Sequence, residues 1–359
     1  MISISIDRLT KIFLDLVQID SPTGSEGAVA DYIIDFLAVE KISSHKDSFG
    51  NVYAFVPGEG DPLVLCSHMD VVQPCIGVKP KIENGYIVTD GTTVLGGDNK
   101  VAVAAILECV RAARESGATL RPLDLVFTCS EEIGNEGAIH FDYSLLHGRE
   151  GYSFDSGVAF GTIITGSPFY ERFDVEFIGV GTHASRPETG NNALAMLRDA
   201  LVKIPLGRPT ETMTCNVGIV ESGKARNAVP GNAILRGEVR SYKEDEIIAT
   251  IAEIARVCEA AASAHGGSAK IETVRENGGF LHEQTHPLVA KVAAKISSVG
   301  LTPIYQNVFG CFDANIFIEH DVTLINISPG VEFAHGTGER MSIENLEKLG
   351  NIVLELAKK

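Results

Sequence analysis

Apolar and polar positions along this chain follow two periods that alternate in blocks. Short apolar runs bounded by turn residues predict strands at NVYAFV (51–56), PLVLCS (62–67), LDLVFTC (123–129) and GYSFD (151–155). Between them, AVADYIIDFLAVE (28–40) and VAVAAILECVRAARES (101–116) have the longer spacing of helices. The opening MISISIDRLTKIFLDLVQID predicts an amphipathic helix with Ile6, Leu9, Ile12, Phe13 and Leu16 on one face. The alternation returns at the far end. HPLVAKVAAKISSVG (286–300) predicts a helix, DVTLINIS (321–328) a strand and IENLEKLGNIVLELAKK (343–359) a closing helix. Strands interleaved with helices predict an α/β domain, a mixed and mostly parallel sheet flanked by helices.

The middle of the chain has a different order. FYERFDVEFIGV (169–180) predicts a strand and NNALAMLRDALVKI (191–204) a helix. TMTCNVGIVES (212–222) and NAILRGEVRSY (232–242) predict strands, EDEIIATIAEIARVCEAAASAHG (244–266) a long helix, and SAKIETVRE (268–276) a last strand. This β-α-β-β-α-β order predicts a ferredoxin-like domain. It is inserted at 167–279 into an outer domain formed by residues 1–166 and 280–359.

Composition removes several classes of function. The 359 residues are 45% hydrophobic, yet no apolar run reaches the roughly 18 residues of a membrane span. The N-terminus lacks the basic-then-apolar order of a secretory leader. Seven scattered cysteines, odd in number and without a CxxC pair, predict a reducing cytoplasmic setting. A net charge of −17 with no basic cluster argues against nucleic acid and anionic membrane as partners.

The chemistry is expected at His68, Asp98, Glu132, Asp155 and His335. All but Asp98 follow a strand-like run, and Asp98 precedes a helix. Residues at the carboxyl ends of strands in an open α/β sheet converge on one crevice. A His/Asp/Glu set without Cys suits divalent zinc, cobalt or manganese. Five ligands exceed what one open catalytic zinc needs and match two metals sharing a carboxylate. Taken singly, each residue has an ordinary structural explanation, such as a helix N-cap for Asp98 or a solvated turn for the Glu pair. The combination is what points to metal. Asp70 lies two residues beyond His68, on the same side of an extended segment, where its carboxylate could orient a ligating imidazole. Glu131 and Glu132 would face opposite sides if extended, so one could bind metal while the other moves a proton.

HMDVV, DGTTVLGGDNK, CSEEIGNEGA, SFDSG, GVGTHAS, ARNAVPG and AHGTGERMS occur in the order and spacing of the aminoacylase/carboxypeptidase family of metallopeptidases. DGTTVLGGDNK and HGTGERMSIENL are most similar to its peptidase T branch. The resemblance spans nearly the whole chain and implies a cytoplasmic aminopeptidase with two divalent ions, zinc first and cobalt or manganese as alternatives. In it, Asp98 bridges the metals, His68 and Asp155 complete one site, and Glu132 and His335 the other. Glu131 is the general base and Asp70 orients His68. His183, Asn227 and Arg240 of the inserted domain contact substrate, with His183 polarising the scissile carbonyl. The inserted domain is a lid and the surface of a homodimer, through which His183 reaches the partner's metals. Read without the resemblance, Asn227 could be a turn former and Arg240 a surface ion-pair residue.

The implied substrate is a short peptide or an N-acyl amino acid. A deacylase, or a dipeptidase or carboxypeptidase, would use the same ligands, and a non-catalytic binding protein is the third reading. The stretch between His68 and Asp98 is shorter than the peptidase T pattern, and NVFGCFDAN (307–315) replaces a double-glycine turn, which leaves peptide length open. Asp313 and Glu339, acidic residues near the ligand loops, are expected to receive a substrate amine.

Overall fold

The strands Leu63–His68 and Leu123–Thr128 are buried at every position in the computed structural model, which describes residues 2–359. Such continuous burial is the mark of strands covered by helices on both faces. They lie at the centre of a sheet ordered Ser44–Lys46, Val52–Val56, Leu123–Thr128, Leu63–His68, Glu150–Ser153, Thr323–Ile327, Thr162–Ser167. Leu63–His68 runs parallel to both of its neighbours, and Thr323–Ile327 is parallel to Glu150–Ser153. The flanking pairs are antiparallel. The sheet is therefore mixed with a parallel centre, and the parallel strands present their carboxyl ends along one edge.

The helices cover the sheet with the faces their periodicity predicts. Ile6–Val17 buries Leu9, Ile12, Phe13, Leu16 and Val17, and the Ser5 hydroxyl caps its first turn by accepting the Arg8 N–H. Gly97–Ser116 is buried almost all round because it is wedged among Ile6–Val17, Ile343–Ala357 and the sheet. Ion pairs cross this layer, and one of them is buried on its acidic side. Glu108, with a fully buried side chain, accepts from Arg8 Nε at 2.5 Å and from the Ser5 N–H at 2.9 Å. No helix among the described residues is long and apolar enough to cross a membrane.

A second, small antiparallel sheet joins Val331–Glu332, Arg340–Ser342, Tyr86–Val88 and Lys81–Glu83. Its register, Arg340 opposite Val88 and Ser342 opposite Tyr86, ties two segments far apart in sequence. This pairing holds the chain around Asp98 near the chain around His335.

The contacts divide the chain into two compact units. The first comprises the chain through Thr165 with His282–Val308 and Phe312–Lys359, and the second is Gly166–Leu281 with Phe309–Cys311. In the second, the elements follow the order β-α-β-β-α-β as Phe169–Ile178, Ala193–Leu201, Met213–Ser222, Asn232–Ser241, Glu244–Ala264 and Ser268–Asn277. The strands form one antiparallel sheet, with Asn232–Ser241 and Ser268–Asn277 on either side of Phe169–Ile178. A short edge strand, Gly207–Thr210, is added to the expected set.

Both helices of this unit lie on one face, over Phe173, Val175, Phe177, Leu235 and Val239. The opposite face is polar and carries ion pairs such as Arg236–Asp174 (3.6 Å) and Arg240–Glu238 (3.1 Å). The alternation along residues 173–178 is the sequence signature of such a one-sided sheet.

Candidate metal centre

Three strands of the parallel centre deliver most of the site. His68 is the last residue of Leu63–His68, Glu131 and Glu132 follow Leu123–Thr128, and Asp155 follows Glu150–Ser153. Asp98 comes after Gly96, whose φ of 74° is a left-handed conformation that glycine adopts without strain. Asp98 and Asn99 are non-helical, so the regular helix begins behind them. His335 stands just beyond Val331–Glu332 with φ 65°.

The side chains gather in two groups of three. His68, Glu131 and Asp155 form one, and Asp98, Glu132 and His335 the other, with the ligand atoms of each group within 4.8 Å of one another. Asp98 touches both. His68 Nε2 is 3.4 Å from its Oδ1, and His335 Nε2 is 3.4 Å from its Oδ2. His68 Nε2 is also 3.7 Å from Asp155, and His335 Nε2 is 3.2 Å from Glu132 Oε1. The Asp98 and Asp155 side chains are 13% exposed and Glu132 9%, whereas His335 is 54% exposed, so the cluster opens to solvent on the His335 side.

Glu131 and Glu132 depart from the extended geometry that would separate them by alternation. They lie in a tight 3₁₀ turn, Glu131–Ile133, entered through Ser130 at φ 53°. The turn still sends the two carboxylates to different groups.

Such a cluster carries a large electrostatic cost. Burial and repulsion from Asp98, Glu132 and Asp313 push the Asp155 carboxyl well above its ordinary value. Glu131 is raised in the same way by burial and by Asp155. Burial alone would lower His68 and His335 is half-exposed, yet carboxylate partners hold both imidazoles above their usual value. Asp98 Oδ1 and Glu132 Oε1 are buried and accept no hydrogen bond. Orphaned buried carboxylate oxygens facing imidazole nitrogens are what a divalent cation satisfies, since a carboxylate or imidazole lone pair is then a ligand. The sulfur-free donor set fits zinc, cobalt or manganese.

A surrounding shell of backbone contacts fixes these groups. His68 Nδ1 lies 3.1 Å from the Asp70 carbonyl oxygen and 3.4 Å from its carboxylate, so both parts of Asp70 orient the ring. The same carboxylate accepts from Thr23 Oγ1 (2.9 Å) and from the N–H groups of Glu131 (3.0 Å) and Glu132 (3.2 Å). Burial would raise Asp70, but His68 and these donors hold it below the ordinary carboxylate range. Glu26 accepts from the next N–H back, Ser130, at 3.0 Å. Asn326 brackets Asp155 by accepting its N–H at 2.8 Å and donating to its carbonyl. Glu26 and Asn326 gave no sign in the sequence beyond being polar residues beside or within buried segments.

Asp313 and Glu339 do not wait for a substrate amine, and that expectation is corrected. Both are buried. Glu339 accepts from the N–H of Gly96 at 2.8 Å and of Asp98 at 2.9 Å, and burial pushes its carboxyl up to about 7. Asp313 accepts from Thr128 Oγ1 at 2.5 Å. Their acidity serves the protein's own donors.

The three expected substrate contacts lie in the second unit. His183 and Asn227 are neighbours there. Thr182–His183 pairs with Ala228–Val229, and the Ala184 N–H donates to the Asn227 carbonyl at 2.8 Å. His183 is exposed, and Ser185 engages its Nδ1 through the backbone N–H at 3.2 Å and the hydroxyl at 2.8 Å, which leaves Nε2 as the outward nitrogen. Arg240 is more committed. It pairs with Glu238, lies 4.3 Å from the Tyr170 ring centre, and donates to the Phe309 carbonyl at 2.9 Å.

Glu339→Gln should weaken metal binding by about 10–100-fold, the usual effect of losing a residue that orients a ligand. The amide offers one acceptor to two N–H groups and turns a donor against the other. Zinc titration of metal-stripped protein measures this, and unchanged affinity would show that the Gly96–Asp98 segment holds its shape unaided.

Residues 64–359 match the model of peptidase family M20/M25/M40. YqjE of Bacillus subtilis (strain 168) is 32% identical over 97% of both chains. The structure of an aminopeptidase PepT from Bacillus cereus superposes with a TM-score of 0.94 at 30% identity, covering 99% of this chain and 98% of that one. A tripeptidase from Staphylococcus aureus gives 0.93 at 32% identity with the same coverage. The fold, the gathering of two histidines and four carboxylates beside its parallel strands, and this match over most of the chain agree: the protein belongs to peptidase family M20/M25/M40.

Proposed function

We propose that this family member is an aminopeptidase of short peptides that works with two divalent metal ions, zinc first. The observation that carries this is the placement of Asp98 between the two groups, one oxygen toward each histidine. Solved relatives at 30% and 32% identity named as an aminopeptidase and a tripeptidase support the substrate class. His68, Asp155 and Asp98 would hold one ion, and Glu132, His335 and Asp98 the other. Bound there, the ions would polarise the scissile carbonyl and make water acidic enough to attack.

The chain's own groups do the rest. Glu131 is not needed as a ligand in this assignment. It takes the proton of the attacking water and hands it to the leaving amine. Asp70 keeps His68 in one orientation and holds the Glu131 turn from below. His183, with Nδ1 held by Ser185, would offer Nε2 as the donor that a developing oxyanion requires.

We infer also that the chain works as a homodimer in which His183 of one copy serves the metal centre of the other. The outer edge of Met213–Ser222 supports this. Gly207–Thr210 pairs only with its first residues, and Ile219 and Val220 beyond them are exposed on an edge with no strand partner among the described residues.

A second reading, deacylation of N-acyl amino acids or carboxypeptidase cleavage, is favoured by one specific observation. Asp313 and Glu339 are consumed internally, so neither is available to a substrate amine. Arg240 would then receive a carboxylate.

Three measurements test these statements. A panel of free, N-blocked and C-blocked di- and tripeptides with N-acyl amino acids should show hydrolysis of free-amine peptides. Turnover of the acylated substrates alone would transfer the assignment to the second reading. Glu131→Gln should lose about 10²–10⁴-fold in turnover with metal retained, while Glu132→Gln should lose metal, and the reverse pattern would exchange their roles. Mixing a His183→Ala subunit with a Glu131→Gln subunit should recover activity that neither has alone. No recovery, once subunit exchange is verified, rejects the shared site.

A further inference from the structure

The side chain of Asn135 is buried between two carboxylates, directly behind the proposed base. Its backbone sits at φ 59°, ψ 30°, a left-handed conformation that asparagine accepts more readily than most residues. Its Nδ2 donates to Glu131 Oε1 at 3.0 Å and faces Asp313 Oδ1 at 3.4 Å. Both hydrogen bonds run from the Asn135 NH2 group to carboxyl oxygens, one on each side.

Asp313 is itself anchored. Its Oδ2 accepts from Thr128 Oγ1 at 2.5 Å and lies 3.7 Å from Cys66 Sγ. Thr128 and Cys66 belong to the two central parallel strands. Rigid sheet positions thus hold Asp313, Asp313 holds the amide, and the amide holds one oxygen of Glu131.

We propose that Asn135 is a positioning residue that fixes the Glu131 carboxylate for proton transfer, leaving Oε2 as the oxygen that takes the proton. The proposal rests on the reading of Glu131 as the general base. Asn135 donates to Glu131 and Asp313 and to none of the five proposed metal ligands, so its effect belongs to turnover rather than to metal binding. A carboxylate with one oxygen tied has one orientation available, which keeps its free oxygen in one place for the transfer.

The test compares Asn135→Gly and Asn135→Asp in the zinc-reconstituted enzyme, with trialanine as the probe or the panel's best peptide if that is faster. Glycine removes the amide and accepts the left-handed backbone without strain. Aspartate keeps the shape and removes the N–H donors. The expected result for Asn135→Gly is a loss in kcat of about 10–100-fold, the worth of a hydrogen bond to a charged group. KM, zinc affinity of the stripped protein and the thermal midpoint should stay near wild type. Asn135→Asp should be no better than Asn135→Gly despite its shape.

Wild-type kcat in either variant would overturn the proposal. So would parallel losses of zinc affinity and kcat, which would mean that Asn135 only maintains the turn. If Asn135→Gly does not fold, the isosteric Asn135→Asp carries the comparison. Glu131→Gln separates the two claims. An active Glu131→Gln removes the base assignment itself, whereas an inactive one beside a fully active Asn135→Gly removes only this inference.

Discussion

Carboxylates crowded into a buried crevice repel one another, and the whole active face of this protein is organised around that fact. Asp98, Glu131, Glu132 and Asp155 stand together with only two imidazoles among them. Without compensating positive charge, Asp155 and Glu131 would hold protons well above the usual carboxylate range because of burial first and mutual repulsion second. Metal binding and proton release are linked in such a cluster, since each ligand must be ionised to coordinate. The arrangement that is costly for the polypeptide alone is the one that gives divalent cations their affinity.

The loops that carry the cluster are held through their own backbone. Glu26 and Asp70 accept the consecutive N–H groups of Ser130, Glu131 and Glu132. Glu339 accepts those of Gly96 and Asp98, and Asn326 brackets Asp155. These contacts are buried or partly buried hydrogen bonds to charged or amide groups, stronger than those at the surface and rigid in direction. They place the ligand-bearing loops before any ion arrives, and a site already in position loses less entropy when it binds.

Much of this was readable from the sequence, and the boundary of legibility has a physical cause. The strands, the helical faces and the β-α-β-β-α-β order follow from local periodicity, as the buried set Leu9, Ile12, Phe13 and Leu16 illustrates. His68, Asp98, Glu132, Asp155 and His335 stood out because each interrupts or follows an apolar segment, and the structure brings all five together. What the sequence withheld depends on distant contacts. Glu26 meets Ser130 across 104 residues, Asn326 meets Asp155 across 171, and Glu339 meets Asp98 across 241. Asp313 and Glu339 differ from the expectation for the same reason. An acidic residue near a ligand loop looks available to substrate until tertiary contacts show that it is buried and occupied. The extra strand Gly207–Thr210 and the return of Phe309–Cys311 to the second unit also escape any local pattern.

The central claim is that one carboxylate, Asp98, joins two metal sites built on one sheet edge. Anomalous diffraction at the zinc edge from zinc-loaded crystals examines it directly. The account predicts two peaks per chain, roughly 3.5–4 Å apart, with Asp98 between them, His68 and Asp155 beside one, and Glu132 and His335 beside the other. A single peak at full zinc loading, or two peaks that do not share Asp98, would contradict it.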